Sequence, residues 1–154
     1  MAKKNIWGSI NFSDKKEKSA YDLLIEQSEG LAEATAGVLK MQVEAIDAFD
    51  EKSWKPVALY MLYVVAPQVG NFRRKILTVY EYSHYGRFPV DIISHLDNSE
   101  TEKKISKENF IGKIEEILSR PIVKHSIENL YKMSKENITH LNHPNRQIDP
   151  QDIL

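Results

Sequence analysis

The chain has 154 residues, 42% hydrophobic and 28% charged, with 21 basic against 22 acidic side chains and a net charge of -1. That length supports one domain with a full hydrophobic core, and the composition excludes wholesale disorder, collagen-like repeats and a polytopic membrane protein. The absence of cysteine excludes disulfides, thiolate metal sites and thiol catalysis, and the balanced charge provides no long-range field toward nucleic acid or an anionic membrane.

In chain order, residues 1–12 carry Ile6, Trp7, Ile10 and Phe12 without a sustained period, and are expected to form an arm that docks by its aromatic side chains. Asp14 with Glu17, and Ser19 with Asp22, both have the spacing of a capping box. The first helix is therefore expected to start near one of them and to run to Gly37. Its second half is rich in small residues (Gly30, Ala32, Ala34, Ala36), which allow close approach of a sheet or of a second chain.

At Leu39 the period changes to two: Leu39, Met41, Val43 and Ala45 alternate with Lys40, Gln42 and Glu44, the pattern of a half-buried strand. Asp47 to Lys55 reads as a loop. The apolar run Val57 to Ala66 suits a central strand covered on both faces, with a short buried helix entered through Pro56 as the alternative, and is too short to cross a bilayer, which takes about 20 residues. Ile76 to Tyr82 is expected to pair with it as a hairpin, and alternation from Phe88 to Leu96 indicates a fourth strand with Pro89 at an edge or at its start. Asp97 to Lys104 reads as a polar loop. Ser106 then starts a helix stapled by Ile105 and Phe110, and Pro121 opens another. The expectation is an α+β fold: an N-terminal helix, a four-stranded, mostly antiparallel meander, and two C-terminal helices. Residues 1–137 would form the domain and 138–154 a polar tail.

Candidate chemistry is sparse. No glycine-rich phosphate loop, Gly-x-Ser-x-Gly or His-Glu-x-x-His motif occurs. His140 and His143, with Asp149 or Asp152, could hold a metal, but they fall in the tail, so neither metal nor cofactor is expected. Glu81, Asp91 and His95 are the polar groups from which acid–base or ligand-binding chemistry could be built in a cleft between the sheet and the first helix. Asp91 and His95 are roughly 13 Å apart along an extended strand. Arg73, Arg74 and Lys75 next to Phe72 form the densest basic cluster and could grip nucleic acid. Alternation divides them, Arg73 and Lys75 to one face and Arg74 to the other, and strand-end charges also serve to prevent edge aggregation. Tyr80 and Tyr82, with Phe72 and Ile76, are expected on one side of the third strand, where they would be open to a partner if the helices cover the other side.

In architecture alone this order of elements is similar to small partner-binding proteins such as secretion chaperones and toxin-immunity proteins. The expectation is a non-enzymatic, cytoplasmic protein that binds another protein or a second copy of itself through Tyr80, Tyr82 and the neighbouring Arg73, Arg74 and Lys75. A ligand-binding cleft or enzyme built on Glu81, Asp91 and His95 is the alternative, and nucleic-acid binding ranks third. The sequence identifies neither the partner nor the process.

Overall fold

The computed structural model describes residues 18–83, 86–97 and 101–141, with backbone alone for 138–141. The expected docking arm, the Asp14–Glu17 start signal, and the His143, Asp149 and Asp152 part of the tail lie outside the described residues, as does the side chain of His140. The described elements are α1 (Ala20–Ala34), β1 (Lys40–Asp50), β2 (Lys55–Ala66), β3 (Phe72–Tyr82), β4 (Val90–Ser94), β5 (Glu102–Ile105), α2 (Lys107–Ser119) and α3 (Pro121–Leu141).

Helix α1 is started by Ser19, whose Oγ accepts from the Asp22 amide at 3.2 Å while Asp22 Oδ2 accepts from the Ser19 amide at 3.1 Å. Two amides that the first turn leaves without helical partners are thereby satisfied. The helix stops at Ala34, short of Gly37. The amide of Ala36 turns back to Glu33 O at 3.3 Å and that of Gly37 to Ala32 O at 2.8 Å, the paired bonds of a Schellman terminus. This places Ala36 in the left-handed region at φ +50°, with Gly37 at +81°. Thr35 Oγ1 donates to Leu31 O at 2.8 Å and accepts from the Leu39 amide at 3.1 Å, which ties the helix end to the strand that follows.

The five strands form one antiparallel meander in the order β1-β2-β3-β4-β5. The four-stranded expectation is thus corrected by β5, which lies in the segment whose sequence reads as a polar loop. Its residues, Glu-Lys-Lys-Ile, have no apolar alternation to mark them, because β5 is an edge strand and its lysines face solvent. Charged edge strands resist pairing with other chains. The presence of β5 makes β4 an interior strand, and Pro89 stands just before it, where no ladder hydrogen bond is needed. The loop expected from Asp47 is also corrected, since β1 continues to Asp50 by pairing Ala48 with Val57 and Phe49 with Pro56. Asp50 then organises the turn, accepting from the Lys52 amide at 3.3 Å and from Ser53 Oγ at 2.9 Å.

Between β2 and β3 the register slips by one residue: Leu62 faces Leu77 but Tyr63 faces Lys75, leaving Ile76 as the extra residue of a bulge. Both Ile76 and Leu77 are consequently buried in the core. All the described helices lie on one side of the sheet. Leu24 of α1, Phe110, Ile114 and Ile117 of α2, and Val123 and Leu130 of α3 pack against Leu62, Val64, Leu77, Val79, Val90 and Ile92. None of the described helices is long and apolar enough to cross a membrane.

Arg120, in the break between α2 and α3, pairs with Asp97 at 2.7 Å, Glu116 at 3.2 Å and Glu102 at 3.4 Å. One guanidinium thus joins the helix corner to the β4–β5 connection and to β5 itself. These local geometries set two expected stability changes. Ala36→Gly relieves the left-handed alanine and is expected to stabilise the protein by about 0.5–1 kcal/mol in urea unfolding. Arg120→Ala, which leaves partly buried Asp97 without this cation, is expected to cost roughly 1–2 kcal/mol in the same experiment.

Candidate interaction face

Strand alternation divides the sheet into a helix-covered face and a second face that is open with respect to the described helices. Across the open face, register places Gln42, Tyr63 and Lys75 in one row; Glu44, Met61, Thr78 and Ile93 in the next; then Ile46, Leu59, Tyr80 and Asp91; then Ala48, Val57 and Tyr82; and finally Asp50 and Lys55. No described helix contributes a side chain to the buried cluster on this side, yet Val57, Met61, Tyr63 and Thr78 of this face are buried. Ile46 remains 43% exposed. Tyr80 and Tyr82 stack with ring centroids 6.4 Å apart and planes 18° from parallel, forming an aromatic ledge over β3. Burial pushes the Tyr82 phenol up to about 12, reinforced by the Asp91 carboxylate, so it stays a neutral hydrogen-bonding group at physiological pH.

The basic cluster divides between the faces. Arg73 lies 4.1 Å from the centroid of the Tyr63 ring and reaches across β2 to Glu44 Oε2 at 2.7 Å, a contact that raises its already high pKa. Lys75 Nζ stands 5.9 Å from the same ring. Arg74 points to the helix side and donates to Ser126 Oγ of α3 at 3.1 Å. Arg73, Arg74 and Lys75 thus do not form one basic surface for a nucleic-acid backbone. The bulge also corrects the expected aromatic side of β3: Tyr80 and Tyr82 are on the open face, whereas Ile76 is in the core and Phe72 pairs with core residue Ala66. The slip inverts the parity of every residue on β3 before Leu77.

Glu81, Asp91 and His95 are not brought together. Asp91 is paired with Tyr80 and shares the open face, so Glu81, one residue along, projects to the helix side. There Tyr60 Oη donates to Glu81 Oε2 at 2.5 Å, and burial followed by this carboxylate pushes the Tyr60 phenol well above its ordinary value. The other Glu81 oxygen is buried without a hydrogen-bond partner among the described residues, beside a small cavity of about 230 Å³ that Asp47 also lines. Asp91 Oδ1 accepts from the Lys104 amide at 2.9 Å, an anchor for β5, and His95 Nε2 lies 2.7 Å from Thr78 Oγ1. Among the described residues no group of three or more His, Asp and Glu side chains is placed to hold a metal ion.

Sequence reasoning overlooks Ile46, Leu59 and Ile93 as members of this face, and also the hairpin tip, where Phe49 is 69% and Trp54 81% exposed. A signal is available in β1. The positions taken by Lys40, Gln42 and Glu44 continue as Ile46 and Ala48, so the outward side of the strand changes from polar to apolar midway. Comparison of the chain with protein-family models, with curated proteins and with solved structures finds no match in any of the three.

His95 provides a test of the face's electrostatics. Burial, followed by the Lys75 ammonium, lowers its pKa, so the unfolded chain takes up the proton first as pH falls. Stability present above the unfolded value of about 6.5 is lost on acidification below it. The urea midpoint is expected to fall between pH 7 and pH 5.5, and His95→Asn is expected to flatten that part of the profile. An unchanged slope in the variant would assign the dependence to other groups.

Proposed function

We propose that this is a non-enzymatic, cytoplasmic interaction protein whose working surface is the open face of the sheet, buried against a protein partner or a second copy of the chain. The observation that supports it is the apolar and aromatic ground formed by Ile46, Leu59, Tyr80, Tyr82 and Ile93 on a face that none of the described helices covers. Sheets that face water on one side ordinarily carry polar residues there. Contiguous apolar ground rimmed by charge is the usual character of a protein-binding site, and tyrosine contributes large contact area with a hydrogen-bonding tip.

Placing a photo-crosslinking amino acid at Tyr80 in cells that make the protein tests this reading. Position Glu115, on the exposed side of α2, is the control. Position 80 is expected to yield discrete protein adducts and position 115 none. A folded protein that forms no protein adduct of any kind at position 80 overturns the proposal.

A further inference from the structure

We infer that residues 1–17 fold back over the open face of their own sheet and cover it around Met61, Tyr63 and Thr78, leaving the Ile46, Leu59 and Tyr80 side free. Met61, Tyr63 and Thr78 occupy two adjacent rows and are only 7%, 8% and 3% exposed, although no described helix reaches them. Side chains stand upright on a sheet, so neighbours on the same face close off their flanks and leave the outer ends to water. The face contains its own control. Leu59, between Ile46 and Tyr80, is only half-buried, whereas Met61, between Glu44 and the smaller Thr78, is buried. The bulk of the neighbours therefore does not account for the difference. The Tyr63 hydroxyl points the same way, since it donates to Met61 Sδ at 3.7 Å, a weak acceptor that a phenol open to water would not need. Val57 is buried too, but it stands apart, lining the small cavity with Ser83 and Gly86.

The cover must come from the chain outside the described residues. Residues 84–85 are a two-residue link, and 98–100 join Asp97 to β5, where Asp97 and Glu102 are both held by Arg120 at the helix corner. That leaves residues 1–17 and 142–154. The first segment carries Ile6, Trp7, Ile10 and Phe12, and in an extended stretch Ile6, Ile10 and Phe12 fall on one side with Gly8 between them. The second is interrupted by Pro144 and Pro150 and has large apolar side chains only at Ile148, Ile153 and Leu154. The point of departure also suits the first. Lys18 leads into α1, whose Tyr21 ring lies 5.4 Å from that of Tyr60 on β2, so that β1 alone stands between this point and the free edge of the sheet. Residues 1–17 can extend over roughly 55 Å, whereas a five-stranded sheet is about 20 Å wide. The segment is thus long enough to round the β1 edge and cross the face. This contact of the chain with itself stands whether or not the face has a partner, and with one it sets the border of the surface left free, where Ile46 is exposed.

Because the chain has no cysteine, single introduced thiols report the cover directly. In the full chain, Thr78→Cys is expected to react with a charged thiol reagent about tenfold or more slowly than Glu115→Cys on the exposed side of α2. Replacing Ile6, Ile10 and Phe12 together by serine in the Thr78→Cys chain is expected to raise its rate toward that of position 115, with circular dichroism establishing that the variant is folded. A Thr78→Cys thiol as reactive as the one at position 115 overturns the inference, as does a folded triple variant whose rate is unchanged. It is also overturned if the rate rises instead when Ile148, Ile153 and Leu154 are replaced, which makes the C-terminal segment the cover, or if protection is lost on dilution, which makes it the segment of another copy. Ile10→Cys in an otherwise unaltered chain gives a second reading that needs no disruptive variant. Protection comparable to that at position 78 supports the inference, and reaction as fast as at position 115 overturns it. Crosslinking from position 80 is read separately, so failure of the cover and failure of the interaction reading are distinguishable.

Discussion

The single extra residue at Ile76 governs the arrangement of the whole open face. A strand alternates strictly, so moving the chain by one residue exchanges its faces. By absorbing one residue between Leu77 and Lys75, the bulge lets Ile76 and Leu77 both enter the core and sends Arg73 and Lys75 to the open side. Without it the second half of β3 could not keep Leu77 and Val79 under the helices while Arg73 stacks on Tyr63. The cation over an aromatic ring, the reach to Glu44 and the release of Arg74 to Ser126 all follow from that local change.

The covered face is secured by a different arrangement. The three described helices meet the sheet on one side, and their apolar stripes converge on the middle strands around Phe110 and Leu62. The corner between α2 and α3 is held electrostatically by Arg120, which is paired with carboxylates from three chain segments. Partly buried, multiply hydrogen-bonded charges of this kind contribute more than an isolated surface pair. Asp91 extends the fastening to β5 through the Lys104 amide. The two faces of the sheet thus differ: the covered side packs against the described helices, whereas the other side carries Ile46, Leu59, Ile93 and two stacked tyrosines.

Much of this is legible in local patterns. The Ser19 capping box, the change of period at Leu39, the β2–β3 hairpin and the Ile105–Phe110 entry to α2 each involve residues a few positions apart. Such reasoning places the candidate residues less well. Tyr80 and Tyr82 lie on the side facing away from the helices, but Glu81, which the sequence groups with Asp91 and His95, is separated from them by the sheet. Strand β5 is invisible to periodicity because an exposed four-residue edge carries neither an apolar period nor a turn signal. The second half of β1 resembles a loop because Asp47 and Asp50 interrupt its pattern, while its pairing with the start of β2 supplies the structure.

The sequence by itself determined the α+β class, the order of the principal elements and the amphipathic stripes of the helices. Those properties are set by periodicity, capping and turn chemistry within a few residues of chain. Tertiary structure alone decided the fifth strand, the bulge at Ile76 and which face of the sheet the described helices cover. Edge position, register and coverage depend on pairing between segments far apart in the chain, and no local pattern records which of two alternating faces the helices will occupy.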